Sequence, residues 1–185
     1  MLVHKGTRTI ETSRLILREA IMDDIEPMYR NWASDSEVTK YLTWPAHANL
    51  DVTENVTSEW IKGYSDKNYY QWMIVLKDIN EPIGSISGMS PNDKLKSIEI
   101  GYCIGKKWWH QGIMTETLSA VIKFLFEECG FNRIVATHDK NNPNSGNVMK
   151  KCGMKYEGTF RQGNCNNQGI CDSVQYAILM EDYHQ

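Results

Sequence analysis

The stretch "KSIEIGYCIGKKWWHQGIMTETLSAVIKFLFEECG", residues 96–130, holds the reading on which the fold turns. It begins by alternating. Ile98, Ile100, Tyr102 and Ile104 share one face of an extended chain, and Glu99, Gly101 and Cys103 share the other. From Ile113 onward the period changes. Apolar residues at 114, 118, 121, 122, 125 and 129 predict an amphipathic helix over 113–129, with Gly130 where a helix-ending glycine belongs. Between strand and helix lies "KKWWHQG", residues 106–112. The first turn of a helix leaves amides unpaired and partly positive, so it accepts an anion. Gly112 would let an anion reach that backbone, and it equally suits a plain strand-to-helix turn. The stretch has neither the Gly-Lys-Ser/Thr of a Walker loop nor a dinucleotide fingerprint. On the strand's second face, small residues beside Glu99 leave room for a ligand, or else mark a covered edge or a bulge at Gly101.

Working outward, strands are predicted over 14–19, 69–76, 82–89, 133–138 and 173–180, and helices over 23–34, 49–64 and 145–152. The runs 69–76, 82–89 and 96–105, joined by short polar turns, suggest an antiparallel meander. After them comes β-α-β-α-β. Strands followed by alternating elements predict an α+β fold with a mixed, mostly antiparallel twisted sheet flanked by helices. The turn 141–145 opens the helix 145–152 just after a neighbouring strand, with Asn144 or Ser145 as cap. Two polar helix mouths beside one strand end suit a long, phosphorylated ligand.

The totals exclude several classes. The chain's 185 residues suit one domain, taken as 1–185. A formal net charge of -3 leaves no electrostatic footprint for nucleic acid or anionic lipid. No apolar run approaches the length of a membrane span, Lys123 already breaking "VIKFLF", and residues 1–14 lack a signal peptide's apolar core, so a cytoplasmic location is expected. Five cysteines without a C-x-x-C pair read as free thiols. The five histidines are scattered, so no metal site is expected.

The segments 11–19, 81–88, 98–118 and 141–163 together resemble the GNAT superfamily of N-acetyltransferases, in its RimJ/RimL-type branch of ribosomal-protein-alanine N-acetyltransferase-like proteins. The resemblance runs nearly end to end and implies the GNAT acyl-CoA N-acyltransferase fold, with acetyl-CoA as co-substrate. The family's pyrophosphate loop falls on Trp109, His110, Gln111, Gly112, Ile113 and Met114, of which the central glycine fits the pattern. Cofactor contacts are implied for Tyr102, Cys103 and Ile104 through the main chain, for His110 to Thr115 at the helix mouth, and for Asn142 and Ser145. Met149 stands where many relatives carry a proton-donating tyrosine, so the resemblance assigns the acid to Ser145. Glu99 is the candidate base, acting through water. Cys103 as a nucleophile is the sharper alternative, though no partnered histidine is identifiable.

Trp44, His47 and Trp60 either line an acceptor pocket or pack a loop over the core. His138 and Asp139 are catalytic or capping groups, and Arg161 is expected to pair with Asp172. The implied acceptor is a primary amine, first a protein or peptide N-terminus and then a polyamine or amino sugar. A non-catalytic CoA-binding module is the second class of reading. A homodimer is open, and neither nucleic acid nor membrane is an expected partner.

Overall fold

Eight strands join in one sheet, in the order β1-β2-β3-β4-β5-β6-β8-β7. The architecture is that of a computed structural model, which describes residues 1–183. The strands are β1 (Ile10–Glu11), β2 (Leu15–Arg18), β3 (Tyr70–Leu76), β4 (Glu81–Asn92), β5 (Ser97–Ile104), β6 (Arg133–Asp139), β7 (Lys155–Asn166) and β8 (Gly169–Leu179). The helices are α1 (Ile25–Met28), α2 (Ser36–Thr39), α3 (Leu50–Gly63), α4 (Ile113–Lys123), α5 (Pro143–Lys151) and α6 (Met180–Tyr183). The predicted meander is β3-β4-β5, and β5–β6 is the parallel pair in an otherwise antiparallel sheet. A parallel neighbour needs a crossover, and α4 supplies it.

The helix predicted over 113–129 forms with its buried stripe as read. Leu118, Val121 and Leu125 are fully buried, and Gly130 ends the run in the left-handed region at φ 81°. Each such side chain contributes about 1.5–3 kcal/mol when buried. Beyond Lys123 the helix widens into a π-helical stretch over Phe124–Cys129. The helix predicted over 23–34 is likewise uneven: a 3-10 turn, α1 and a π-helical stretch over Tyr29–Ala33. Helix α3 starts where its cap does, with the Asn49 side chain accepting from the Val52 amide.

Two apolar clusters sandwich the sheet. Ile98, Ile100 and α4 belong to one, with Tyr102 and Ile104 packed against it. Met28, Trp32, Met73 and Val75 form the other, and Trp44, Trp60 and Cys103 pack on it. The expectation that Trp44 and Trp60 either line a pocket or cover the core therefore resolves to the second. His47 is also buried there, its Nδ1 2.9 Å from Thr53 Oγ1.

Several expectations are corrected. Strand β7 has no counterpart in the sequence reading, because nearly all its residues are exposed and two register shifts against β8 break any alternation. Strand β8 begins four residues earlier than predicted, at Gly169 rather than Ser173, to pair with it. Helix α5 begins at Pro143 with Asn142 in the cap position, ahead of the predicted Asn144 or Ser145, because proline fits a first helical turn. Asp172 pairs with Lys140 at 3.7 Å and accepts from the Gln162 amide, where Arg161 was expected as its partner.

Candidate active site

Strands β5 and β6 pair through Ser97↔Arg133, Ile98↔Ile134 and Glu99↔Val135, and no further. Both continue, to Ile104 and Asp139. They therefore splay apart, and the β5 edge beyond Glu99 has main-chain groups that β6 does not use. A cavity of about 380 Å³ lies at this opening. Its walls come from β5 (Tyr102 to Ile104), the mouth of α4 (His110 and Gly112 to Thr115), the mouth of α5 (Asn142, Asn144 and Ser145) and the segment Glu37 to Leu42. A larger open groove of about 870 Å³ beside the N-terminal segment carries both charge signs, from Arg8 and Lys123 to Glu11 and Glu127. None of the residues expected at the cofactor lines it.

The α4 mouth is built with care. Gly112 sits at φ 74° as its N-cap, a left-handed conformation that glycine adopts freely. A Cβ there would meet little, the nearest atom being Arg14 Nη2 at 3.7 Å. Arg14 Nη1 donates to the Gln111 carbonyl at 2.9 Å, and its Nε donates to Glu116 in the first turn at 2.7 Å. Glu116 also accepts from Thr12 Oγ1, Ser13 Oγ and the Arg14 amide. Burial disfavours its charge, yet these bonds outweigh that cost and bring its pKa down to about 2. The edge segment 12–14 thus locks loop to helix, leaving the amides of Ile113, Met114 and Thr115 as first-turn donors.

The α5 mouth holds the hydroxyl of Ser145. Asn142 Nδ2 donates to Ser145 Oγ at 3.1 Å, which occupies a lone pair and leaves the hydroxyl hydrogen free to be given away. Tyr102 crosses the opening and donates its phenol to the Ser145 carbonyl at 3.0 Å, and burial raises its pKa. Met149, by contrast, is buried in the core. Gly146 fits because His138 lies beneath it: a Cβ would fall 2.6 Å from Nε2. Asp139 accepts from the Asn141 amide at 2.7 Å and so holds the turn, which makes it a capping group.

Most residues expected at the cofactor gather around this cavity. Tyr102, Cys103, Ile104, His110, Gly112, Ile113, Met114, Thr115, Asn142 and Ser145 line it. Gln111 does not; its side chain turns back to the Lys107 carbonyl. Glu99 stands at the apex of the splay, outside the lining, where its carboxylate accepts from Thr137 Oγ1 at 3.1 Å. The room expected over Gly101 is filled, since a Cβ there would meet Met89 Cε at 2.9 Å. Cys103 Sγ lies 3.5 Å from Ser85 Oγ, and burial raises its pKa, which disfavours a nucleophilic thiolate. Of the tryptophans at the loop, Trp108 is core and cavity wall at once, while Trp109 donates to the Ile104 carbonyl at 2.8 Å. Sequence reasoning missed Glu37, Tyr41, Leu42 and Lys151 in the walls. Lys151 follows from the amphipathic spacing of α5, whereas nothing local points to the other three. Among the described residues no group of three or more His, Cys, Asp or Glu could hold a metal ion.

Comparison with known proteins follows the same lines. A family model described as an acetyltransferase (GNAT) domain matches residues 14–155. "Uncharacterized N-acetyltransferase YoaA" of Bacillus subtilis (strain 168) is 30% identical over 170 residues, covering 92% of this chain and 96% of its own length. "Ribosomal-protein-serine acetyltransferase" of Escherichia coli (strain K12) is 25% identical over 182 residues, covering 95% and 98%. The crystal structure of a GNAT-family acetyltransferase from Bacillus anthracis superposes with a TM-score of 0.82 at 28% identity, covering 94% of this chain and 99% of that one.

Proposed function

This chain belongs to the acetyltransferase (GNAT) family, and on that premise we propose that it carries an acetyl group from acetyl-CoA to the free N-terminal amine of a protein or peptide. It is an N-acetyltransferase enzyme. The observation that carries the proposal is the β5–β6 splay, which opens onto two helix mouths, one bare of side chain at Gly112 and one bearing Ser145.

Acetyl-CoA supplies the acetyl group as a thioester open to attack by an amine. The residues present suit such a molecule. The first-turn amides at Ile113 to Thr115, with Lys151 in the facing wall, suit a pyrophosphate. The unused edge of Tyr102 to Ile104 offers main-chain partners to an extended amide-bearing arm, and a backbone amide there would face the developing oxyanion. The amine must be neutral to attack. Glu99 takes its proton through water, and Ser145 gives its free hydroxyl hydrogen to the departing thiolate and regains one from solvent. Glu37 also reaches the wall, but it is paired with Lys106 at 2.9 Å. Paired kinetics of Glu99→Gln and Glu37→Gln separate the two carboxylates: we expect the first alone to lose about 10²-fold or more in rate.

The acceptor reading draws support from a relative named for ribosomal-protein-serine acetylation. An α-amine has a reference pKa of about 7.7–8.0 against about 10.4 for lysine, so more of it is neutral near pH 7 and a modest base suffices. Asp51, Glu54, Glu59 and Asp66 outnumber Lys62 along residues 51–66 and favour a cationic acceptor at long range, although none lines the cavity. Polyamines and amino sugars rank second. No helix among the described residues is long and apolar enough to cross a membrane, and the five free cysteines suit the reducing cytoplasm in which we place the enzyme. The test is a competition assay with acetyl-CoA, free-thiol detection and mass spectrometry, comparing basic peptides with free or blocked N-termini against spermidine and an aminoglycoside. Turnover of the free peptide alone is expected. Equal turnover of blocked and free peptides would sink the assignment, and turnover of a small amine alone would promote the second ranking.

A further inference from the structure

The hairpin joining β7 to β8 ends in Asn166, Asn167, Gln168 and Gly169, far from the cavity in sequence and at the outer edge of the sheet. Its tip nevertheless bonds to both sides of the opening. The Asn167 amide donates to the Leu42 carbonyl at 3.1 Å. The Asn167 side chain Nδ2 donates to the Thr39 carbonyl at 2.8 Å and to the Trp44 carbonyl at 2.7 Å. Both partners are carbonyl oxygens, so only the NH₂ end of the amide can face them. The neighbouring Asn166 Nδ2 donates to Asp139 Oδ2 at 2.6 Å. Asp139 is buried, and its other oxygen holds the Asn141 amide in the turn that presents Asn142 and Ser145.

We propose that Asn167 is a positioning residue: with Asn166 it ties the Thr39–Trp44 segment, which carries the cavity wall residues Tyr41 and Leu42, to the turn that presents Ser145, and so sets the acceptor side of the site. The proposal rests on reading the cavity as the place where thioester and amine meet. Short of Asn167, this segment has few backbone bonds of its own between Thr39 and Trp44: Leu42 N donates to Thr39 O at 2.8 Å. Besides the Asn167 main-chain amide on Leu42, the two bonds from its side chain therefore bracket Tyr41 and Leu42 from either end. The α4 mouth, where the proposed function seats the pyrophosphate, takes no bond from the tip, so the phosphate end of donor binding should depend on it little.

The experiment compares wild type with Asn167→Ala and Asn167→Asp. Aspartate has the same shape but turns oxygen lone pairs toward two carbonyl oxygens, so a space-filling role would tolerate it and a donor role would not. We expect segment 37–44 to exchange its amides faster in both variants, with aspartate at least as fast as alanine. CoA affinity by calorimetry should stay within about twofold, and the KM for the best amine of the panel above should rise about tenfold, the size of one or two lost hydrogen bonds. Unchanged exchange in 37–44, wild-type behaviour of Asn167→Asp, or an equal loss of CoA affinity would each overturn the proposal. If wild type turned over no amine at all, the acceptor reading would fall, while the exchange and calorimetry would still decide the role of Asn167.

Discussion

At Gly112 and Gly146 the presence of a side chain would have opposite consequences. Gly112 faces open space, and aspartate tolerates left-handed backbone better than most residues. Gly112→Asp should therefore fold, yet bind CoA at least about tenfold more weakly, because it sets a negative charge beside phosphates. Gly112→Asn carries the same backbone cost without the charge and should lose much less; calorimetry on both variants reads the difference. Gly146 lies inside α5, where alanine would ordinarily stabilise a helix by about 0.5–1 kcal/mol. Here the sign reverses. His138 cannot swing away, since its Nδ1 bonds the Asp139 carbonyl at 2.7 Å and its ring stacks on Tyr176. Gly146→Ala should cost about 1–3 kcal/mol in urea unfolding and displace Ser145, lowering kcat. Ser145→Ala leaves the fold alone and should lower kcat more than it raises the KM for acetyl-CoA.

The element that governs the donor end is α4, and its N-terminus is fixed from outside the helix. Its N-cap is a glycine with no side chain to contribute, so the segment 12–14 anchors the first turn through Glu116 and leaves its amides uncapped. Glu116→Gln keeps an acceptor for the hydroxyls but turns an NH₂ toward Arg14. It should lower stability by about 2 kcal/mol, or about 4–8 °C in Tm for a chain of this size. It should also weaken CoA binding, since Arg14 would release the Gln111 carbonyl. Scanning calorimetry and CoA titration on one sample check both. A lower Tm with an unchanged CoA affinity would mean that the loop holds its shape without Arg14.

For the molecule as a whole, the charge pattern predicts acid lability. The pKa of Glu116 is lower folded than unfolded, about 2 against 4.5, so its contribution is complete above about pH 4.5 and fades as pH falls toward 2. By pH 3 this amounts to about 2 kcal/mol. Burial also lowers the pKa of His47, so protonating it opposes folding in the same direction, beginning below its ordinary 6.5. Urea midpoints should therefore fall from pH 7 to pH 3. In Glu116→Gln the slope below about pH 4.5 should flatten, because the variant has already lost what acid would remove.

What the sequence determined is what local periodicity and turn chemistry encode. The 2-residue alternation of 96–105 giving way to the 3.6-residue period after Gly112 fixed strand, loop and helix, and with them the α4 mouth. Motif resemblance brought Ser145 and Asn142 to the same opening. Tertiary structure decided the rest, because it depends on which distant segments meet. Strand β7 forms by pairing with β8 and buries almost nothing, so it leaves no apolar pattern to read. The space over Gly101 is closed by a methionine from another strand, and Glu99 ends at an apex set by where two strands part. The wall at Tyr41 and Leu42 is held by an asparagine more than 120 positions away in the chain. A hydrogen bond of that kind has no period along the chain, and only the folded molecule brings its two ends together.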